Sequence, residues 1–438
     1  MLQDRYGNTV STSSNAALAH YDEALLLMRL YKGDPITALD NAITHDPGFT
    51  AAWAARAAIL ILQADRAYLP EAERSIAEGL ARGGTEQERA QLAACRDWAS
   101  GRTVKGVEAF TAIARQNPRD LISLQSSHVG NFYLGNSTGL RDEPLRALKA
   151  IHHQDEGYHA VAGMAAFGLE ECGDYDRALE LGEEAASLED RDAWAVHAVA
   201  HVHEMRGDTD RGIVWLRRNR KALAPGNGFS YHNWWHLALF HLDQDDHAAA
   251  LSLYDSHIRP DTKANVVLEW IDASALLWRL HLDDVDTGDR FGQLADCWVR
   301  AIDDRHYAFN DVHAIVAFLG AGQWERVDRC LASLRVAAQV DDDNGHVART
   351  VGLPLAEAFL AYEQGRYADA TRDILAVRPF VHGFGGSHAQ RDILSLTALH
   401  AARKGNLRAE EVALATERHH QKPNSPWAKR LAAKADVM

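Results

Sequence analysis

Residues 158–190 read YHAVAGMAAFGLEECGDYDRALELGEEAASLED. An apolar, Ala-rich run stops at Gly173-Asp174, and a second amphipathic run carrying small residues follows. Gly followed by a polar residue is the ordinary stop signal of a helix, so the stretch predicts two helices joined by a tight turn. The same wording returns at Gly207-Asp208, 34 residues after Gly173. A fixed period of that length is the mark of a helical repeat array.

Working outward, residues 16–32 (AALAHYDEALLLMRLYK) run into Gly33-Asp34-Pro35, and ITALDNAITHDP follows, closed by Asp46-Pro47. Residues 49–63 with 70–82, and 85–101 with 104–116, make two further pairs, the latter closed by Asn117-Pro118. A fourth pair starts near Leu121, and LGNSTGLRDEP (134–144) is expected to be a longer loop inside it. Later units have longer periods and are marked by GQWERVDRCLASL (322–334), GRYADATRDIL (365–375) and GNLRAEEVALA (405–415). Sustained alternation of the kind strands need is nearly absent. Helix, Gly-Asp turn, helix with small Ala, then Asp-Pro resembles the tetratricopeptide repeat. The expected fold is all-α, a tetratricopeptide-repeat-like superhelical solenoid of about nine or ten helix pairs, because no single pair can bury its own apolar face. One continuous array over 1–438 is expected, with N-terminal repeats over 1–118, central repeats over 119–340 lining the site, and C-terminal repeats with a cap over 341–438.

The composition excludes several function classes. The 438 residues carry 46 Lys and Arg against 61 Asp and Glu, a formal charge of −15. An acidic chain with no basic stripe argues against nucleic acid as partner. No apolar run reaches the ~20 residues of a membrane span. The opening MLQDRYGNTVSTSSN lacks the apolar core of a secretory signal, so a cytoplasmic chain is expected. Cys95, Cys172, Cys297 and Cys330 have neither disulfide-framework nor zinc-ligand spacing. Neither GxxxxGK[ST] nor a strand-linked GxGxxG occurs, and no motif supports a Ser or Cys nucleophile. Asp341-Asp342-Asp343-Asn344-Gly345 lacks the spaced ligands and closing Glu of a calcium loop and reads as a solvated loop.

Chemistry concentrates in residues 191–243, which hold His197, His201, His203, His232, His236 and His241 with Glu204, Trp234 and Trp235. His197, His201 and Glu204 share one helical face. Imidazoles four apart with a carboxylate a turn on can hold zinc, can act as general acid and base, or can simply hydrogen-bond within the array. The motif is not HExxH. HAVAHVHEMRG (197–207), HNWWHLALFHLD (232–243), DASALLWRLHL (272–282) and NDVHAIVAF (310–318) resemble the tetratricopeptide repeat protein 38 family. The resemblance implies the solenoid fold and no stated activity.

In tetratricopeptide arrays the first helix of each pair lines the concave groove. Counting from the turns places Trp194, His197, His201 and Glu204 on that face, with His232 and Trp235 from the next unit and His236 beside them. Asp272, Asn310, Asp311 and His313 lie near the starts of later first helices. GFGGSHAQRD (383–392) leads into a helix carrying His388, Arg391 and Asp392, where exposed N–H groups and Arg391 would favour an anion.

The leading expectation is a small organic molecule in that groove, acted on without metal by acid/base hydrolysis, carbon–carbon lysis or isomerisation. His197, His201, Glu204, His236, Asp272 and His313 are the candidate acid/base groups. Trp194, His232, Trp235, Asp311, His388 and Arg391 are the candidate ligand contacts. The alternatives are a non-catalytic protein-interaction scaffold and a zinc-type or other divalent-metal hydrolase. No cofactor is otherwise indicated, and an open array can form a homodimer through its ends or convex face. Groove residues carry little core, so alanine at His201 or Glu204 is expected to leave the fold intact.

Overall fold

The computed structural model describes residues 1–437, with the side chains of 434–437 left aside. After a two-stranded antiparallel ribbon, β1 (Leu2–Gln3) with β2 (Thr9–Val10), the described chain is helical. It is all-α and built of tetratricopeptide-like helix pairs. It divides into two compact units, 1–199 with 219–230, and 200–218 with 231–438.

The first unit holds α1 (Asn15–Leu30), α2 (Pro35–His45), α3 (Thr50–Ile61), α4 (Leu69–Arg82), α5 (Glu86–Ala99), α6 (Thr103–Gln116), α7 (Leu121–Tyr133), α8 (Ser137–Ala147), α9 (Tyr158–Glu171) and α10 (Tyr175–Leu188). The unit boundary falls within α11 (Ala193–Arg206). The second unit continues with α12 (Thr209–Arg218), α13 (Ser230–Asp243, from Tyr231 on), α14 (His247–Leu253), α15 (Val267–Leu282), α16 (Arg290–Trp298), α17 (Ala308–Gly320) and α18 (Trp324–Ala337). It ends with the short α19 (Asp343–Val347), then α20 (Leu353–Glu363), α21 (Tyr367–Val377), α22 (His388–Lys404), α23 (Arg408–Gln421) and α24 (Pro426–Val437). The first helices α3, α7, α9, α15 and α17 are buried nearly all round, while second helices such as α2, α4, α10 and α16 bury one face.

The repeat is written in the backbone of the turns. Tyr31 and Gly288 aside, each of eleven helix pairs among the described residues has one left-handed residue between its helices: Gly33, Ala64, Gly101, Gly135, Gly173, Gly207, Asp245, Asp284, Gly322, Gly365 and Asn406. Seven are Gly, which takes positive φ without a Cβ clash. Asp and Asn tolerate it through their short polar side chains, and Ala64 has no such help.

Two local expectations change. Residues 134–144 are not a long loop. α7 ends at Tyr133, Asn136 caps α8 by accepting from Gly139 N (3.1 Å), and Pro144 is accommodated inside α8. The longer connection is 148–157. The acidic run 341–345 is also more than a solvated loop. Asp342 caps α19 by accepting from Gly345 N (2.6 Å), and Asn344 ties the loop to Ala308 N (2.8 Å) and Arg305 O (2.9 Å). Among the described residues no helix is long and apolar enough to cross a membrane. All four cysteines are free.

Candidate functional site

α11 begins where Asp192 accepts from the N–H groups of Trp194 and Ala195, both at 3.0 Å. Asp192 also accepts from His159 Nδ1 (2.7 Å). Trp194 and His197 then enter an aromatic cluster of the first unit. Trp194 lies 5.1 Å from Phe167 and 5.2 Å from Phe229, and His197 lies 5.3 and 5.0 Å from the same two rings.

One turn on, the helix passes into the second unit and its surroundings change. His201 and His236 are fully buried, with ring centroids 4.4 Å apart, and His232 is 4.9 Å from His236. His236 Nδ1–H donates to Glu204 Oε2 (2.9 Å), and His232 Nδ1–H donates to Asp272 Oδ2 (2.6 Å). The sequence places the partners: Glu204 is one turn beyond His201 on α11, His232 and His236 are one turn apart on α13, and Asp272 sits in the second turn of α15. A carboxylate that accepts from Nδ1 fixes the tautomer and leaves the lone pair on Nε2.

Trp235 is fully buried and stacks on His232 at 5.3 Å, with the Arg279 guanidinium over its ring at 5.3 Å. It backs the cluster. Its neighbour Trp234 turns away and stacks on His257 at 4.0 Å. Arg279 is itself buried and donates to the carbonyls of Ala275 (2.9 Å) and Ala389 (2.7 Å).

The C-terminal helices complete the arrangement. Lys422 Nζ donates to Glu204 Oε1 (3.3 Å) and lies 3.8 Å from Asp392. Arg418 grips Asp392 with two bonds of 2.7 and 3.0 Å. Gln390 shares a capping box with Ser387 at the start of α22 and donates to the second oxygen of Asp272 (3.4 Å). Gly207 allows the close approach that delivers Lys422. Its φ is +70°, and a Cβ there would lie 2.3 Å from Ser425 N. Asn424 N donates to Arg206 O (3.3 Å), and Ser425 Oγ donates to Asp243 (2.6 Å). A cavity of about 70 Å³ opens beside this network, bordered by Glu204, Arg279, Asp392, Arg418, Lys422 and His400. That is room for a few water-sized groups.

Burial would raise Glu204, but Lys422 and the His236 N–H outweigh it and hold the carboxyl well below the usual range. Burial and the adjacent His201 push His236 down to about 3, against the pull of Glu204. The pair is therefore a neutral imidazole donating to a carboxylate. Burial likewise opposes ionisation of Asp392, yet Arg418 and Lys422 hold it at about 2. Burial lowers Arg279 to about 10 and His400 to about 4.

Of the residues singled out from sequence, the second unit gathers His201, Glu204, His232, Trp235, His236 and Asp272. Trp194 and His197 belong to the aromatic packing of the first unit. His313 donates from Nδ1 to Phe309 O (2.8 Å) within its own helix. Asp311 is buried with Asp304 and Arg305 as its charged neighbours, and burial pushes it up to about 8. His388 is exposed. Arg391 donates to the carbonyls of Gly385 and Gly386, and Ser387 caps the helix start by accepting from Gln390 N. Sequence reading passed over Lys422, Arg418, Gln390 and Arg279, and left Asp392 out of the site. In the sequence these are ordinary helix residues, and only the Gly207 turn, beside Glu204, hinted at a close approach.

The expectation that alanine at Glu204 would be harmless also fails. Glu204 is buried and neutralises buried Lys422, and removing one partner of such a pair is strongly destabilising.

No family model matches the chain. Among solved structures it is similar to the crystal structure of the P58(IPK) TPR domain, at 10% identity over 81% of this chain and 98% of that one, with a TM-score of 0.23. The all-α, repeat-built assignment therefore rests on the chain's own helix pairs and turns.

Proposed function

We propose that the second unit binds a small polar organic molecule in the cavity beside Glu204 and acts on it by acid/base chemistry, as a hydrolase, lyase or isomerase. The observation that carries this reading is the double engagement of Glu204. One oxygen orients His236 in a buried imidazole cluster, and the other meets Lys422 at the cavity wall. Burying this many ionised groups is costly, and such clusters in a concavity are where functional sites concentrate. Lys422, Arg418 and Arg279 are the groups suited to hold a carboxylate or similar anion, and Glu204 with His236 the groups suited to steer a proton.

The test is a thermal-shift screen of small carboxylates and aromatic acids on the full chain, followed by calorimetry. A binder whose affinity falls at least tenfold in Lys422→Met, with the circular dichroism unchanged, supports the reading. Binding that survives both Lys422→Met and Glu204→Gln counts against it.

The repeat-built all-α fold favours a second reading, a non-catalytic scaffold that holds a protein segment. Peptide capture by the intact chain that is indifferent to Lys422→Met and Glu204→Gln would favour it. The segments 197–207, 232–243, 272–282 and 310–318 also support placing the chain in the tetratricopeptide repeat protein 38 family, which adds no activity to either reading.

A further inference from the structure

We infer that His201, His232 and His236 form a divalent-metal site of the zinc class, with Glu204 and Asp272 orienting two of the three ligands. The three imidazoles come from two neighbouring helices of one unit, all buried, and each offers a ring nitrogen within 4.8 Å of the others. Zinc–nitrogen bonds of about 2.0–2.1 Å place tetrahedral ligand atoms roughly 3.3 Å apart.

Two further features point to a cation. The first is the anchoring of His236 and His232 through Nδ1 to carboxylates. That is the arrangement by which metal-binding histidines are held with Nε2 forward and made more basic. Histidines that only fill space need no such partner. The second is charge. Glu204 has Lys422 as a direct counter-ion, whereas the second oxygen of Asp272 takes the neutral amide of Gln390 and feels the Arg279 charge without a direct ion pair to it among the described residues. A dication between the imidazoles would lie within one residue of both carboxylates.

The donor set selects the metal. Three imidazoles without thiolate suit first-row divalent ions, zinc among them. Magnesium and calcium demand oxygen ligands and are disfavoured. The site borders the cavity through Glu204, so a bound ion would stand next to the proposed ligand position.

This inference uses the cluster of the preceding reading but not its ligand, and metal titration separates the two. The full-length, untagged chain is stripped with chelator and titrated with Zn²⁺ in competition with a chromophoric chelator. Co²⁺ absorption then reports coordination geometry. The expected result is one Zn²⁺ per chain with Kd below about 1 µM and a tetrahedral Co²⁺ spectrum. Affinity should fall at least 100-fold in His236→Asn or His232→Asn, and about 10–100-fold in Asp272→Asn. The Co²⁺ spectrum of the unaltered chain decides the matter if a variant fails to fold. A folded chain that takes up no Zn²⁺ overturns the inference. So does uptake that survives the histidine variants, or that disappears in His419→Ala/His420→Ala instead. A chain that binds zinc but no organic acid would overturn the small-molecule reading and leave this one standing.

Discussion

His128 in the first unit and His232 and His236 in the second are all buried, and they keep opposite company. In the first, His128 is 2% exposed, has no carboxylate partner among the described residues, and its neighbours are Trp194 at 5.5 Å and Phe167 at 6.0 Å. Burial pushes it down to about 3, a neutral ring used as an aromatic wedge. In the second, His232 and His236 are buried to a similar depth but each hands its Nδ1 proton to a buried carboxylate. Burial alone therefore does not distinguish packing from chemistry. The partner does, because a carboxylate is placed in the interior at a desolvation cost that packing never requires.

The comparison breaks most easily at Glu204. Glu204→Leu should lower unfolding free energy by about 3–5 kcal/mol, since it strands Lys422 in a buried setting. Glu204→Gln should cost clearly less, because it keeps the shape and one acceptor. Urea titration of both variants checks this, and equal costs would mean that Lys422 escapes to solvent.

Gly207→Ala is the next largest effect. A Cβ at φ +70° against Ser425 should cost about 1–3 kcal/mol and also weaken ligand or metal binding, since the 422–425 segment moves with it. Denaturant unfolding paired with calorimetry reads both.

Asp311 sharpens the contrast from another side, as a carboxyl buried without an ion partner. Its folded pKa of about 8 lies above the ~4 of an unfolded Asp. Its contribution to stability is therefore complete below about pH 4, falls as pH rises, and is gone above about pH 8. Asp311→Asn should flatten the decline in melting temperature between pH 5 and 8. A residual slope is expected from Glu269, which burial raises to about 7 beside Arg259.

His128→Leu should fall within about 1 kcal/mol of the unaltered chain, because replacing a neutral ring packed among aromatic side chains by an apolar group of similar size costs little. A loss above 3 kcal/mol would show that His128 has a hidden polar role. The smallest effect concerns the turns. Ala64→Gly should stabilise by about 0.5–1 kcal/mol by relieving left-handed strain at φ +51°.

Much of the fold was legible because its signals are local. Gly173, Gly207, Gly322 and Gly365 mark turns through their own backbone freedom. Ala64, Asp245, Asp284 and Asn406 occupy the same conformation with side chains that tolerate it less readily. Half of the candidate site was legible for the same reason. His201 with Glu204, and His232 with His236, are neighbours by helical periodicity.

The rest came from packing. Lys422 lies 218 residues from Glu204 in the chain, and Gln390 lies 118 from Asp272. No periodicity reaches that far. The sequence by itself determined where helices start, stop and pair, and which stretch carries the titratable groups, because backbone sterics and side-chain periodicity act over a few residues. Tertiary structure alone decided which histidines meet carboxylates and which meet aromatic rings. It also decided that the C-terminal helices supply the cations. Hydrogen bonds and Coulomb attraction in a buried site depend on distances that only the packed chain sets.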